Sequence, residues 1–113
     1  MSIAKGAAAE ARAANFLEAQ RVRIVARNWR CRHGEIDLIA EQAGTLLFVE
    51  VRSRARGRFG DAAASITAAK QARLVAAAQL YLATLARIPP CRFDAILLDG
   101  DAEPRWLRHI IEL

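Results

Sequence analysis

Two short apolar runs, GEIDLIA and TLLFVEV, carry Glu35, Asp37 and Glu50, with Arg52 two residues beyond the last. Charge inside runs this apolar needs a reason. A two-residue loop at Ala43 and Gly44 closes the runs into a hairpin, glycine supplying the positive φ that such loops require. In that register Asp37 faces Glu50, Glu35 faces Arg52 and Ile39 faces Phe48. Strict alternation then gathers Glu35, Asp37, Glu50 and Arg52 on one face, and Ile36, Leu38, Val49 and Val51 on the other. Opposed side chains stand about 4.5–5.5 Å apart at Cβ, close enough for two carboxylates to repel. Three arrangements relieve the repulsion of Asp37 and Glu50: one acid keeps its proton, a protein cation comes between them, or a metal ion does.

Mg2+ (or Mn2+) suits the third arrangement, because it takes one or two carboxylates and completes its shell with water and a substrate phosphate. An ion held by Asp37 and Glu50 polarises a scissile phosphodiester and acidifies a water for in-line attack. Arg52, on the same face, is placed to orient that water or to balance charge developing on the phosphate. The same residues also make a structural ion network if Arg52 bridges Glu35 or Glu50. Geometry leaves both readings open.

The elements that must position these groups follow from the surrounding residues. Ala, Glu, Arg and Leu dominate from about Ile3 to Gln20, which predicts a first helix. RVRIVARNWR alternates apolar and basic residues as a half-buried strand does, and the hairpin follows it. A basic loop, residues 54–58, leads to a second helix from about Thr67 towards Pro89 and Pro90, which stop it. CRFDAILLD reads as a strand, and residues 105–113 as a final edge strand or tail. Three strands before a helical crossover predict an α/β fold: a mixed sheet flanked by helices, in one domain of 113 residues.

The partner is expected to be anionic. Lys and Arg total 17 against 12 Asp and Glu, a net charge of +5, and Arg54, Arg56 and Arg58 lie on a glycine-containing loop able to follow a phosphate backbone. Trp29 offers a surface for stacking on a base, or packs against the core. Cys31 and Cys91, with only two histidines, lack zinc-site spacing and are expected to be reduced. With no apolar run long enough to span a bilayer, and no h-region at the N-terminus, a cytoplasmic protein with no membrane partner is expected.

Several spaced motifs in one order resemble the YraN-like uncharacterised bacterial protein family: GEIDLIA, LLFVEVRSR, RFG, a lysine in the following helix, and RFD. That family is similar to the restriction-endonuclease-like (PD-(D/E)XK) superfamily and, in outline, to archaeal Holliday junction resolvases. The resemblance implies a restriction-endonuclease-like αβββαβ core. It also implies a metal-dependent endonuclease acting on DNA rather than RNA, branched DNA included. By motif, Asp37 matches the superfamily acid, Glu50-Val51-Arg52 the triplet on the next strand, Glu10 the helix glutamate that joins the metal, and Lys70 a basic position in the second helix. Gly34 and Glu35 match the pair that introduces the acidic strand, with Glu35 in a supporting place. Related nucleases work as dimers, and the edge strand within residues 106–113 offers a homodimer interface.

Two residues depart from the pattern. Arg21 replaces a glycine after the first helix, a change confined to the turn. Arg52 stands where the family shows Lys, and arginine does not give up its proton at ordinary pH. A catalytically weak or inactive nucleic-acid-binding module therefore stands beside the nuclease, and a protein-interaction domain without nucleic acid is the third reading.

Overall fold

Leu17, Ala13 and Ala14 fall on one stripe of an alanine-rich segment, and burying that stripe makes α1, Ser2–Ala19. The structure, a computed structural model, describes residues 2–54 and 66–111. Helix α1 ends in a paired cap: Val22 donates its N–H to Leu17 O at 3.1 Å and Arg21 donates to Glu18 O at 3.0 Å. Arg21 itself sits at φ 66°, the left-handed conformation that favours glycine at this place in the cap. Arg21→Gly is therefore expected to stabilise the protein by about 1 kcal/mol, read as a rise in the urea midpoint at unchanged m-value.

Beyond the cap come β1, Arg23–Cys31, β2, Gly34–Gln42, and β3, Thr45–Arg54; then α2, Ala68–Leu82, β4, Cys91–Asp99, and the short β5, Arg105–Leu107. The sheet runs β1-β2-β3-β4-β5, antiparallel except where β3 and β4 pair in parallel. This is the mixed sheet expected from the residues, and its αβββαβ order is that of a restriction-endonuclease-like core. Ala43 (φ 52°) and Gly44 (φ 84°) close the hairpin with both residues left-handed, and Ile39 faces Phe48 as expected.

Each helix covers one side of the sheet. Against α1 lie Leu38, Ala40, Leu47, Val49, Ile96 and Leu98; against α2 lie Ile36, Ile39, Phe48 and Phe93. Strict alternation had put Ile36 on the side of Leu38, and the structure reverses it. Two irregularities in β1 accompany this change: the register shifts by one residue between Ile24 and Ala26, and Asn28 is left-handed (φ 52°), with Ala26 and Trp29, three residues apart, both facing α2. Their partners on β2 are Ile39 and Ile36, which follow the same phase.

Trp29 is thereby a packing residue, edge-on to Tyr81 at 5.4 Å, while Tyr81 meets Phe48 at 6.1 Å. Thr67 caps α2 by accepting the Lys70 N–H at 3.2 Å. The helix stops at Leu82, well short of the prolines, because Thr84 donates both its N–H and its hydroxyl to Tyr81 O, at 2.9 and 2.6 Å.

At the far side Asp94 is fully buried. It accepts two hydrogen bonds from Arg92 Nε at 3.1 Å, one from the Trp106 indole at 2.9 Å and one from the His109 N–H at 3.1 Å. The RFD motif thus forms an internal ion pair, and it ties the segment after β5 to β4. Arg12 of α1 reinforces the same end by donating to the carbonyls of Gly100 (2.6 Å) and Ala102 in the turn after β4.

Candidate metal centre

The acidic residues meet where the hairpin pairing of β2 and β3 gives way. Backbone pairs run from Gln42 with Thr45 as far as Leu38 with Val49. Just past the last of them, the Asp37 side chain steps into the ladder, its Oδ2 accepting the Val51 N–H at 2.8 Å. Anchored this way, Asp37 reaches towards α1. Carboxylate oxygens of Glu10, Glu35 and Asp37 lie within 4.8 Å of one another, all three residues half-buried. One acid comes from the helix and two come from β2.

Glu50 borders the same space from β3, and its Oε2 accepts a hydrogen bond from Arg52 Nη1 at 3.1 Å. Both side chains are only 18% exposed, so this pair is shielded from screening far better than a surface ion pair. Glu35 pairs with Arg30 across to β1 at 3.4 Å, where the hairpin register had suggested Arg52. The one-residue register shift between Ile24 and Ala26 accounts for this, since it aligns Arg30 with Glu35.

Crowding has an electrostatic consequence. The Asp37 carboxyl is pushed up from 3.8 to about 8, first by burial and then by the charge of Glu50, with Glu10 and Glu35 adding and the Val51 N–H opposing. At neutral pH and without a cation, Asp37 keeps its proton. Of the three ways to relieve two opposed acids, the protein alone combines two: Asp37 keeps its proton, and the Arg52 cation holds Glu50.

Two cavities adjoin the cluster, and Asp37 and Glu50 line both. One, of about 420 Å³, opens on the α1 side past Gly6, Glu10, Arg52 and Ser53. The other, of about 230 Å³, opens on the α2 side past Gly34, Glu35, Lys70 and Arg73. Lys70 thus lines the same cavity as Glu35, Asp37 and Glu50. Arg73, one turn further along α2, was not picked out from the sequence; its only signal was the three-residue spacing from Lys70. Arg54 closes β3, while Arg56 and Arg58 lie outside the described residues.

The carboxylates suit a hard divalent cation. Oxygens around an octahedral Mg2+ stand about 3.0 Å apart when adjacent and about 4.2 Å when opposite, at bond lengths of about 2.1 Å, and the three carboxylate oxygens, all within 4.8 Å of one another, are near enough to close on such an ion. Sequence comparison points to an uncharacterised family. The profile described as uncharacterised protein family UPF0102 matches residues 9–98. A UPF0102 protein of Cupriavidus taiwanensis is 56% identical over 96% of this chain and 83% of its own. One from Nitrosomonas europaea is 51% identical over 96% of this chain and 93% of its own. Another, from a Janthinobacterium strain, is 50% identical over 95% and 86%.

Proposed function

The chain belongs to the uncharacterised protein family UPF0102, and we propose that it is a nucleic-acid-binding protein that cleaves phosphodiesters with Mg2+ or Mn2+, DNA being its substrate. The observation that carries this reading is the convergence of Glu10, Glu35 and Asp37, from two elements, beside the pair of Glu50 and Arg52. Glu10, Asp37 and either Glu35 or Glu50 would hold the ion. When bound, it supplies positive charge to the scissile phosphate and acidifies water.

The protein's own groups do the rest. Arg52, fixed by Glu50, presents its guanidinium to the phosphate and orients water by donating hydrogen bonds, but it takes no proton. Lys70 and Arg73, on the other side of Asp37, hold a phosphate oxygen against the acids. Such a protein would work in the cytoplasm; among the described residues no helix is long and apolar enough to cross a membrane.

A second reading has one observation in its favour: Glu50 is already satisfied by Arg52. A site closed by that pair binds nucleic acid without cutting it. Incubation with duplex, branched and single-stranded DNA in Mg2+ or Mn2+ separates the two. Cleavage by the wild type, lost in Asp37→Asn and Glu50→Gln, is the expected result; no cleavage, or equal cleavage by the variants, contradicts the nuclease. Arg52→Lys is expected to raise cleavage at least about tenfold by restoring a group able to exchange a proton, whereas no gain favours the binding module.

A further inference from the structure

The edge strand β1 carries charge that the site itself does not consume. Arg27, Arg30 and Arg32 are all exposed, and among the described residues β1 has β2 on one side and no strand on the other. In a regular strand, residues three apart point to opposite faces. Here the left-handed Asn28 lies between them, and because Ala26 and Trp29 both turn towards α2, their neighbours Arg27 and Arg30 both turn away from it. The backbone pairs set Arg27 across from Leu38 and Arg30 across from Glu35, so the two arginines flank the stretch of β2 that holds Asp37. Arg32 follows in the turn that leads into Gly34.

Arg30 contacts Glu35 at 3.4 Å, but among the described residues no carboxylate pairs with Arg27 or Arg32. Nor is the edge built to add a strand of another chain, since exposed arginines and a phase break oppose such pairing. From Arg27 to Arg32 the chain covers at most roughly 16 Å, the rise of about five base pairs.

We propose that this edge is a track for a nucleic-acid backbone, in which Arg27, Arg30 and Arg32 contact phosphates spread over up to about five base pairs and lead the strand to Glu35 and Asp37. The inference rests on the nucleic-acid reading above and names the path the polymer takes to that site. Asn28 is the positioning element, since it sets Arg27 on the face of Arg30.

The test is the salt dependence of binding. Affinity for a short fluorescein-labelled DNA duplex is measured by anisotropy across a sodium chloride series in EDTA, so that no cleavage consumes the probe. Each phosphate contact contributes about 0.9 to the slope of log affinity against log salt. Arg27→Ala combined with Arg32→Ala is expected to lower that slope by about two. Arg87→Ala is the control for net charge: Arg87 is exposed and lies just before Cys91, which pairs with Leu46 at the hairpin end of the sheet, away from the acids. It is expected to leave the slope unchanged. An unaltered slope in the double variant, or an equal loss in Arg87→Ala, overturns the track while leaving the nucleic-acid reading intact. No binding by the wild type at any salt contradicts both.

Discussion

Metal-free wild-type protein is expected to lose stability steadily as pH rises from about 4 to about 8, and Asp37→Asn to remove most of that loss. The sign follows from where the proton sits. Below about 4 Asp37 is protonated whether the chain is folded or not, so pH has no leverage through it. Between about 4 and about 8 the unfolded carboxyl has ionised while the folded one retains its proton, and each rise in pH pulls the chain towards the unfolded state. The slope approaches about 1.4 kcal/mol per pH unit inside that window and vanishes above it.

Asn keeps an oxygen able to accept the Val51 N–H, so the variant retains the hydrogen bond that holds the strand end. Urea melts at half-unit pH steps read the effect directly. Mg2+ or Mn2+ should shift the wild-type midpoint upward, and more at pH 8 than at pH 5, because the cation must displace the Asp37 proton less often as pH rises. A flat wild-type profile, or a slope undiminished in Asp37→Asn, would contradict the crowding described for this carboxyl.

Asp94 carries the largest expected structural effect, and it lies apart from the acidic site. Removing its side chain leaves the Arg92 guanidinium largely buried and uncompensated, and strips acceptors from the Trp106 indole and the His109 N–H. Breaking a buried pair from one side costs about 3–5 kcal/mol, a large share of the total stability of a small domain. Asp94→Ala should therefore show a strongly lowered urea midpoint. Arg92→Ala combined with Asp94→Ala should recover part of the loss, because no isolated charge remains. A cost below about 1 kcal/mol for Asp94→Ala would show that the pair behaves like one at the surface.

Much of the site could be read from residue types because it rests on local rules. A two-residue loop with Gly44 supplying a positive φ sets the register of Ile39 with Phe48, and with it the approach of Asp37 to Glu50. Thr67 declared the start of α2 because its hydroxyl competes well for a free N–H. What escaped depends on two irregularities of β1 that the pattern does not announce. The register shift between Ile24 and Ala26 gives Glu35 to Arg30, and Asn28, which tolerates φ > 0 without requiring it, lies between Ala26 and Trp29 where both face α2. Arg73 escaped for a different reason: an arginine on a helix has no distinctive local signal, and only the packing of α2 over β2 places it at the cavity. The end of α2 was set by Thr84 and not by the prolines, a capture by a side chain that competes quietly with helix propagation.

The central claim is that Glu10, Glu35, Asp37 and Glu50 form a cation site and not a closed ion network. Crystals of the wild-type protein soaked in Mn2+ and measured for anomalous scattering test it most directly. One strong peak is expected within bonding distance of Asp37 and at least one of Glu10, Glu35 and Glu50. Crystals that show no peak there, with Glu50 still held by Arg52 and Glu35 by Arg30, would contradict it.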